Sequence, residues 1–165
     1  MGWSTPQELE AILAKQVSER DSGGEQRPHL TVILGRGGSG KTVLLARAAS
    51  TLSRAGCPAF FIRATDLARF QDPKRLFDAV DARVFEHWRD VGEARGYLLI
   101  DAYDEAVVAG YSALDIARNL SILVEGATAR TELVVSSRDA AWGEALDARV
   151  LLEALRPIAP VSMDD

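Results

Sequence analysis

Eight consecutive residues, Gly35-Arg36-Gly37-Gly38-Ser39-Gly40-Lys41-Thr42, place four glycines, a lysine and a hydroxyl at the spacing G-x-x-x-x-G-K-[ST]. Glycines let successive main-chain N–H groups turn inward around phosphate oxygens with no Cβ in the way, and a helix beginning there directs its positive end at the same anion. Lys41 would carry a mobile positive charge to the β- and γ-phosphates, and the Thr42 hydroxyl would take one position on Mg²⁺. The spacing predicts that Gly35, Arg36, Gly37, Gly38, Ser39, Gly40, Lys41, Thr42 and Val43 contact a nucleoside triphosphate. A glycine-rich turn with a surface lysine is the competing reading, but the fixed positions co-occur by accident in under about one per cent of chains this long. Arg36 stands at a variable position and also reads as a solvated charge.

Further along, Tyr97-Leu98-Leu99-Ile100-Asp101 is an apolar run that ends in a carboxylate. In an open α/β sheet ligands sit outside the carboxyl ends of the strands, so Asp101 is predicted to face the Mg²⁺ held by Thr42. Asp104 and Glu105 follow within a few residues, and either would orient a water for attack on the γ-phosphate, with Glu105 slightly preferred. The competing reading makes one a helix cap and leaves the other solvated. Val134-Val135-Ser136-Ser137-Arg138 repeats the pattern of an apolar run that delivers polar residues at its end. Arg138 would touch the γ-phosphate and so separate ATP from ADP, or would pair with Asp139 or an acidic helix. Lys41, Asp104, Glu105 and Arg138 are thus the catalytic candidates.

These groups need a scaffold that presents loop ends side by side, and the hydrophobic pattern supplies one. Apolar strand-like runs alternate with helical patterns, the signature of a parallel sheet with helices on its faces. Strands are predicted at 30–34, 59–63, 97–100, 132–136 and 150–155. A helix over 41–55 closes at Gly56, a second opens at Asp72-Pro73 and continues through the stripe Leu76, Val80, Val84, Trp88 and Val91, and Ser112 with Asp115 forms a capping box for a third. Residues 1–28 read as an N-terminal helix, with Leu9, Ile12, Leu13 and Val17 as its stripe, and a polar linker; residues 29–165 form the phosphate-binding domain.

Composition narrows the partners. The 165 residues are 47% hydrophobic, enough for one cored domain, and the net charge of −5 speaks against an electrostatic grip on nucleic acid or anionic lipid. A single cysteine, Cys57, excludes an internal disulfide framework and fits the cytoplasm. No apolar stretch approaches the ~18 residues of a membrane span. His29 and His87 lack ligand partners at metal spacing and read as structural. The fourth strand is followed by no Asn-Lys-x-Asp, which disfavours GTP, and no Arg-rich lid of a small kinase is visible.

The run Asp101-Ala102-Tyr103-Asp104-Glu105 resembles the NACHT branch of the STAND signal-transduction ATPases, whose strand ends in Asp, a small residue, any residue and two acids. Ala102 stands where that family usually has Gly. Ser136-Ser137-Arg138 is similar to its sensor strand, Phe60-Phe61-Ile62-Arg63 to its second strand, and Glu153-Ala154-Leu155-Arg156-Pro157-Ile158 to its closing strand. The resemblance spans roughly residues 29–158. It implies a three-layer α/β sandwich of the P-loop NTPase type with a five-stranded, mainly parallel sheet in the order 5-1-4-3-2. It also implies ATP with Mg²⁺, slow hydrolysis, and a nucleotide-controlled switch that works through protein partners or self-association. The sequence ends before the helical and winged-helix parts of such proteins and so reads as their nucleotide-binding core.

Overall fold

The computed structural model describes residues 30–156; the predicted N-terminal helix and linker lie outside them. In chain order the elements are β1 (Leu30–Leu34), α1 (Lys41–Arg54), β2 (Ala59–Arg63), α2 (Ala64–Arg69), α3 (Pro73–Leu76), α4 (Ala79–Val91), β3 (Gly96–Asp101), α5 (Tyr103–Val108), α6 (Ala113–Leu123), β4 (Thr131–Ser137) and α7 (Glu144–Glu153). Among the described residues four strands form one parallel sheet in the order β1-β4-β3-β2. The predicted order holds for these four. Every residue of the central β3 and β4 is buried, whereas β1 and β2, at the sheet's two sides, are partly open.

Alternation along the strands divides the core into two layers. On one face Leu45, Ala48 and Leu52 of α1 pack on Ile33, Tyr97, Leu99 and Val134. On the other, Phe85 and Trp88 of α4 and Ile116 and Leu120 of α6 join Phe60, Ile62, Leu98, Ile100, Leu133 and Val135. Each fully buried Leu, Ile or Phe stabilises the fold by about 1.5–3 kcal/mol, so these two layers are the main source of the sheet's stability. Helix ends follow their capping chemistry. Gly56, at φ 82, closes α1: Cys57 N–H donates to Leu52 O and Gly56 N–H to Ser53 O. Ser112 and Asp115 form a reciprocal box at the start of α6.

Two expectations are corrected. The single helix predicted from Pro73 to Val91 is two, because Phe77 is extended and the Asp78 side chain accepts from Val80 N–H and Asp81 N–H, restarting the helix in a new phase. The restart turns Val80, Val84 and Val91 to solvent and buries Ala82 and Phe85 instead, while Trp88 of the expected stripe stays buried. The fifth strand predicted at 150–155 is also absent: its first residues belong to α7, and the rest form the turn that follows it. Leu151 and Leu155 are fully buried, and Ala148 packs beside them. Spacings of three and four suit a helix face, which a short apolar run cannot separate from a buried strand by composition alone. Residues 157 and 158 of the expected closing strand lie outside the described residues.

Candidate functional site

The carboxyl ends of β1, β4 and β3 meet at one side of the sheet. Gly35 N–H donates to Ser137 O at 3.2 Å, extending the β1–β4 pairing one step into the glycine loop. Beyond it Gly38 and Gly40 adopt φ 74 and φ 81, left-handed values open to glycine at little cost. Gly40 is the N-cap of α1, with no capping side chain and no acid in the first turn. The first amides of that helix, its positive end and the loop therefore converge with no carboxylate of the helix to compete for them.

Lys41 lies back across this loop. Its Nζ donates to Gly35 O at 2.6 Å, Arg36 O at 2.8 Å and Ser39 Oγ at 3.2 Å. Thr42 is one residue further along α1, and its Oγ1 donates to Asp101 Oδ2 at 2.8 Å across the gap to β3. The other carboxylate oxygen, Asp101 Oδ1, accepts from Ser136 Oγ at 2.7 Å, and that hydroxyl oxygen accepts from Ala102 N–H at 2.9 Å. Asp101 is thus buried and fixed from both sides.

Ala102 then takes φ 57, ψ 51, the one non-glycine positive φ among the described residues. This left-handed step ends β3 and starts α5, so Asp104 and Glu105 fall in the first turn of that helix, where negative charge is favoured. The two acids differ in surroundings. Asp104 is buried, and its Oδ2 lies 3.0 Å from Arg138 Nε. Glu105 is exposed and has no ion pair among the described residues. Just before them Tyr103 is driven into the core, its ring edge-on to Trp142 with centroids 5.1 Å apart. Burial first, then Asp147, which accepts from the phenol, raises the Tyr103 hydroxyl far above its ordinary range.

A cleft of about 280 Å³ opens over these groups, lined by the loop from Gly37 to Val43 and by Asp101, Ala102, Asp104, Glu105, Ser136 and Arg138. Most residues singled out in the sequence meet there. Val43 lies at the mouth, 60% exposed. Gly35 and Arg36 stand outside the lining; both contribute carbonyls to Lys41, and the Arg36 side chain is exposed. Arg138 pairs with Asp104 rather than with Asp139. Ser136 was missed as a site residue: its signal was a hydroxyl at the end of an apolar strand, and its relation to Asp101 needs the β3–β4 adjacency. Among the described residues no helix is long and apolar enough to cross a membrane, and no group of three His, Cys, Asp or Glu is placed to hold a metal.

Among solved structures the chain is similar to a replication initiator DnaA bound to AMPPCP and single-stranded DNA, at 18% identity and TM-score 0.47 over 84% of this chain and 43% of that one. It is also similar to a DNA replication initiation factor, at 16% identity and TM-score 0.43 over 86% of this chain and 44% of that one. The chain spans less than half the length of either. No curated protein matches it. The model of the NACHT domain matches residues 29–164, which takes in the phosphate loop, the acidic end of β3 and Arg138. The chain belongs to the NACHT domain family, a family of P-loop NTPases.

Proposed function

We propose that this domain binds ATP with Mg²⁺ in the cleft over the glycine loop and hydrolyses it slowly, as the nucleotide-binding core of a STAND-class switch. The observation that carries the reading is the 2.8 Å contact between Thr42 and Asp101 beside the loop and Lys41. It joins the hydroxyl and the carboxylate at the point where the tail of a loop-bound nucleotide would end. A carboxylate and a hydroxyl in contact, with no group of three or more ligands placed for a metal among the described residues, suit Mg²⁺, which is usually held by one or two protein groups plus substrate phosphates and water. Thr42 directly, and Asp101 mainly through bound water, would hold the ion, which when bound offsets charge on the β- and γ-oxygens.

The remaining roles fall to the chain's own residues. Amides of residues 37 to 42 cradle the phosphates, and Lys41 adds a positive charge over the loop. Glu105 lines the cleft and has no ion pair among the described residues, so it orients the attacking water and receives its proton. The water oxygen bonds to the γ-phosphorus, the bond from that phosphorus to the β,γ-bridging oxygen breaks, and ADP and inorganic phosphate leave. Arg138 senses the terminal phosphate. The single cysteine and the net charge of −5 fit a cytoplasmic module that passes its nucleotide state to protein partners or to other copies of itself.

Calorimetric titration with Mg-ATP and single-turnover phosphate release test this together. Lys41→Ala is expected to abolish binding, and Glu105→Gln to keep binding while slowing release at least tenfold, within the usual effect of losing a general base. Equal binding by wild type and the Lys41 variant overturns the reading. Binding without release in the wild type reduces the domain to a passive nucleotide module.

A further inference from the structure

The two acids of α5 are commonly interchangeable on paper, but their geometry here separates them. We infer that Asp104 is a positioning residue that aims Arg138 at the terminal phosphate, and not the group that activates water; this rests on the ATP reading above. The contact is made through Arg138 Nε, 3.0 Å from Asp104 Oδ2. A guanidinium held at Nε keeps its two terminal nitrogens as a parallel pair of donors, the edge that matches phosphate oxygens two at a time. The guanidinium itself lies over the glycine loop. A Cβ built on Gly37 would stand 3.1 Å from Arg138 Nη2 and 3.2 Å from Cζ, so the guanidinium lies against the loop with no side chain between.

Burial says which partner holds which. The Asp104 side chain is 11% exposed and the Arg138 side chain 61%. Asp104 sits in the first turn of α5, and Tyr103 beside it is locked by Trp142 and Asp147. The carboxylate is the fixed point, and the long, exposed arginine is the part that would otherwise wander. Asp139, next to Arg138 in sequence, does not compete for it. An arginine freed of this anchor loses more rotamer freedom on meeting a phosphate, and pays for it in affinity for that phosphate alone.

The test is calorimetry with Mg-ADP and with the Mg complex of a β,γ-methylene ATP analogue, on wild type, Asp104→Ala, Asp104→Asn, Arg138→Ala and the Ala/Ala double variant, each checked for an unchanged urea midpoint. Asp104→Ala is expected to weaken the triphosphate analogue roughly tenfold, the scale of one charge-assisted contact, and to leave ADP within about twofold. Arg138→Ala should lose the same preference, the double variant no more than either single one, and Asp104→Asn, which keeps an acceptor, should fall between. Asp104→Ala with unchanged analogue binding and abolished phosphate release makes Asp104 the base and overturns the inference. Tighter analogue binding, showing that the carboxylate competes with phosphate for Arg138, also overturns it. Loss of triphosphate preference in Arg138→Ala but not in Asp104→Ala removes this inference and leaves the ATP reading standing; a wild type that binds neither nucleotide removes both.

Discussion

Replacing Ala102 by glycine should make the protein more stable, although most alanine-to-glycine changes do the reverse. At φ 57, ψ 51 the alanine Cβ crowds the following carbonyl, at a cost of about 1–2 kcal/mol. Glycine removes that cost but loses more backbone freedom on folding, about 0.4–1 kcal/mol. The net gain is about 0.5–1 kcal/mol, or roughly 1–4 °C in Tm for a chain of this size. The hydrogen bond from residue 102 N–H to Ser136 Oγ uses main chain only and survives the change. Urea unfolding is the assay, read as a rise in midpoint at constant slope. Ala46→Gly, at an exposed position inside α1, supplies the opposite control and should lose about 1 kcal/mol. If both changes move the midpoint downward, the left-handed assignment at Ala102 is wrong.

Gly96→Ala is expected to destabilise by about 1–3 kcal/mol or more, because its methyl would overlap the Trp88 ring. That ring cannot step aside: its Nε1–H donates to Ala94 O at 2.9 Å, and Phe60 and Phe85 pack against it. A urea midpoint within a few tenths of a kcal/mol of wild type would show that the indole moves freely. For Tyr103 the prediction concerns pH. Its folded hydroxyl holds its proton more tightly than an unfolded one, so its contribution is complete below about pH 10 and declines as pH rises beyond that. Tyr103→Phe should therefore be less stable than wild type at pH 7, by the hydrogen bond to Asp147, and the gap should shrink by pH 10.5. A constant gap across that range refutes the assignment.

The site was legible where its signals are local. Glycine spacing around Lys41, and apolar runs that end in Asp101 and Arg138, mark strand ends and a phosphate loop without any knowledge of neighbours. Placement of the four strands followed from the same runs. What escaped depends on contacts across the fold. Asp78 acts as a second cap only because Phe77 is drawn into the core, and that shift decides whether Val84 or Phe85 faces inward. The segment around Leu151 reads equally as strand or helix until its packing beside α6 is known. Ser136 needs β4 beside β3 before it can touch Asp101. The handedness of Ala102 cannot be read from alanine itself, which seldom turns that way; the glycine usual at this place in the resembled family was its one signal.

The direction of the proton between Thr42 and Asp101 has a consequence for how a cation is received. A hydroxyl owns one hydrogen, and this one is spent on the carboxylate, so the rest of the threonine oxygen is electron-rich and turned away from Asp101. The residue is thereby preset as an acceptor, and repulsion from a misdirected O–H does not have to be undone when a positive ion approaches. Serine could keep that polarity at position 42; valine, of nearly the same shape, could not.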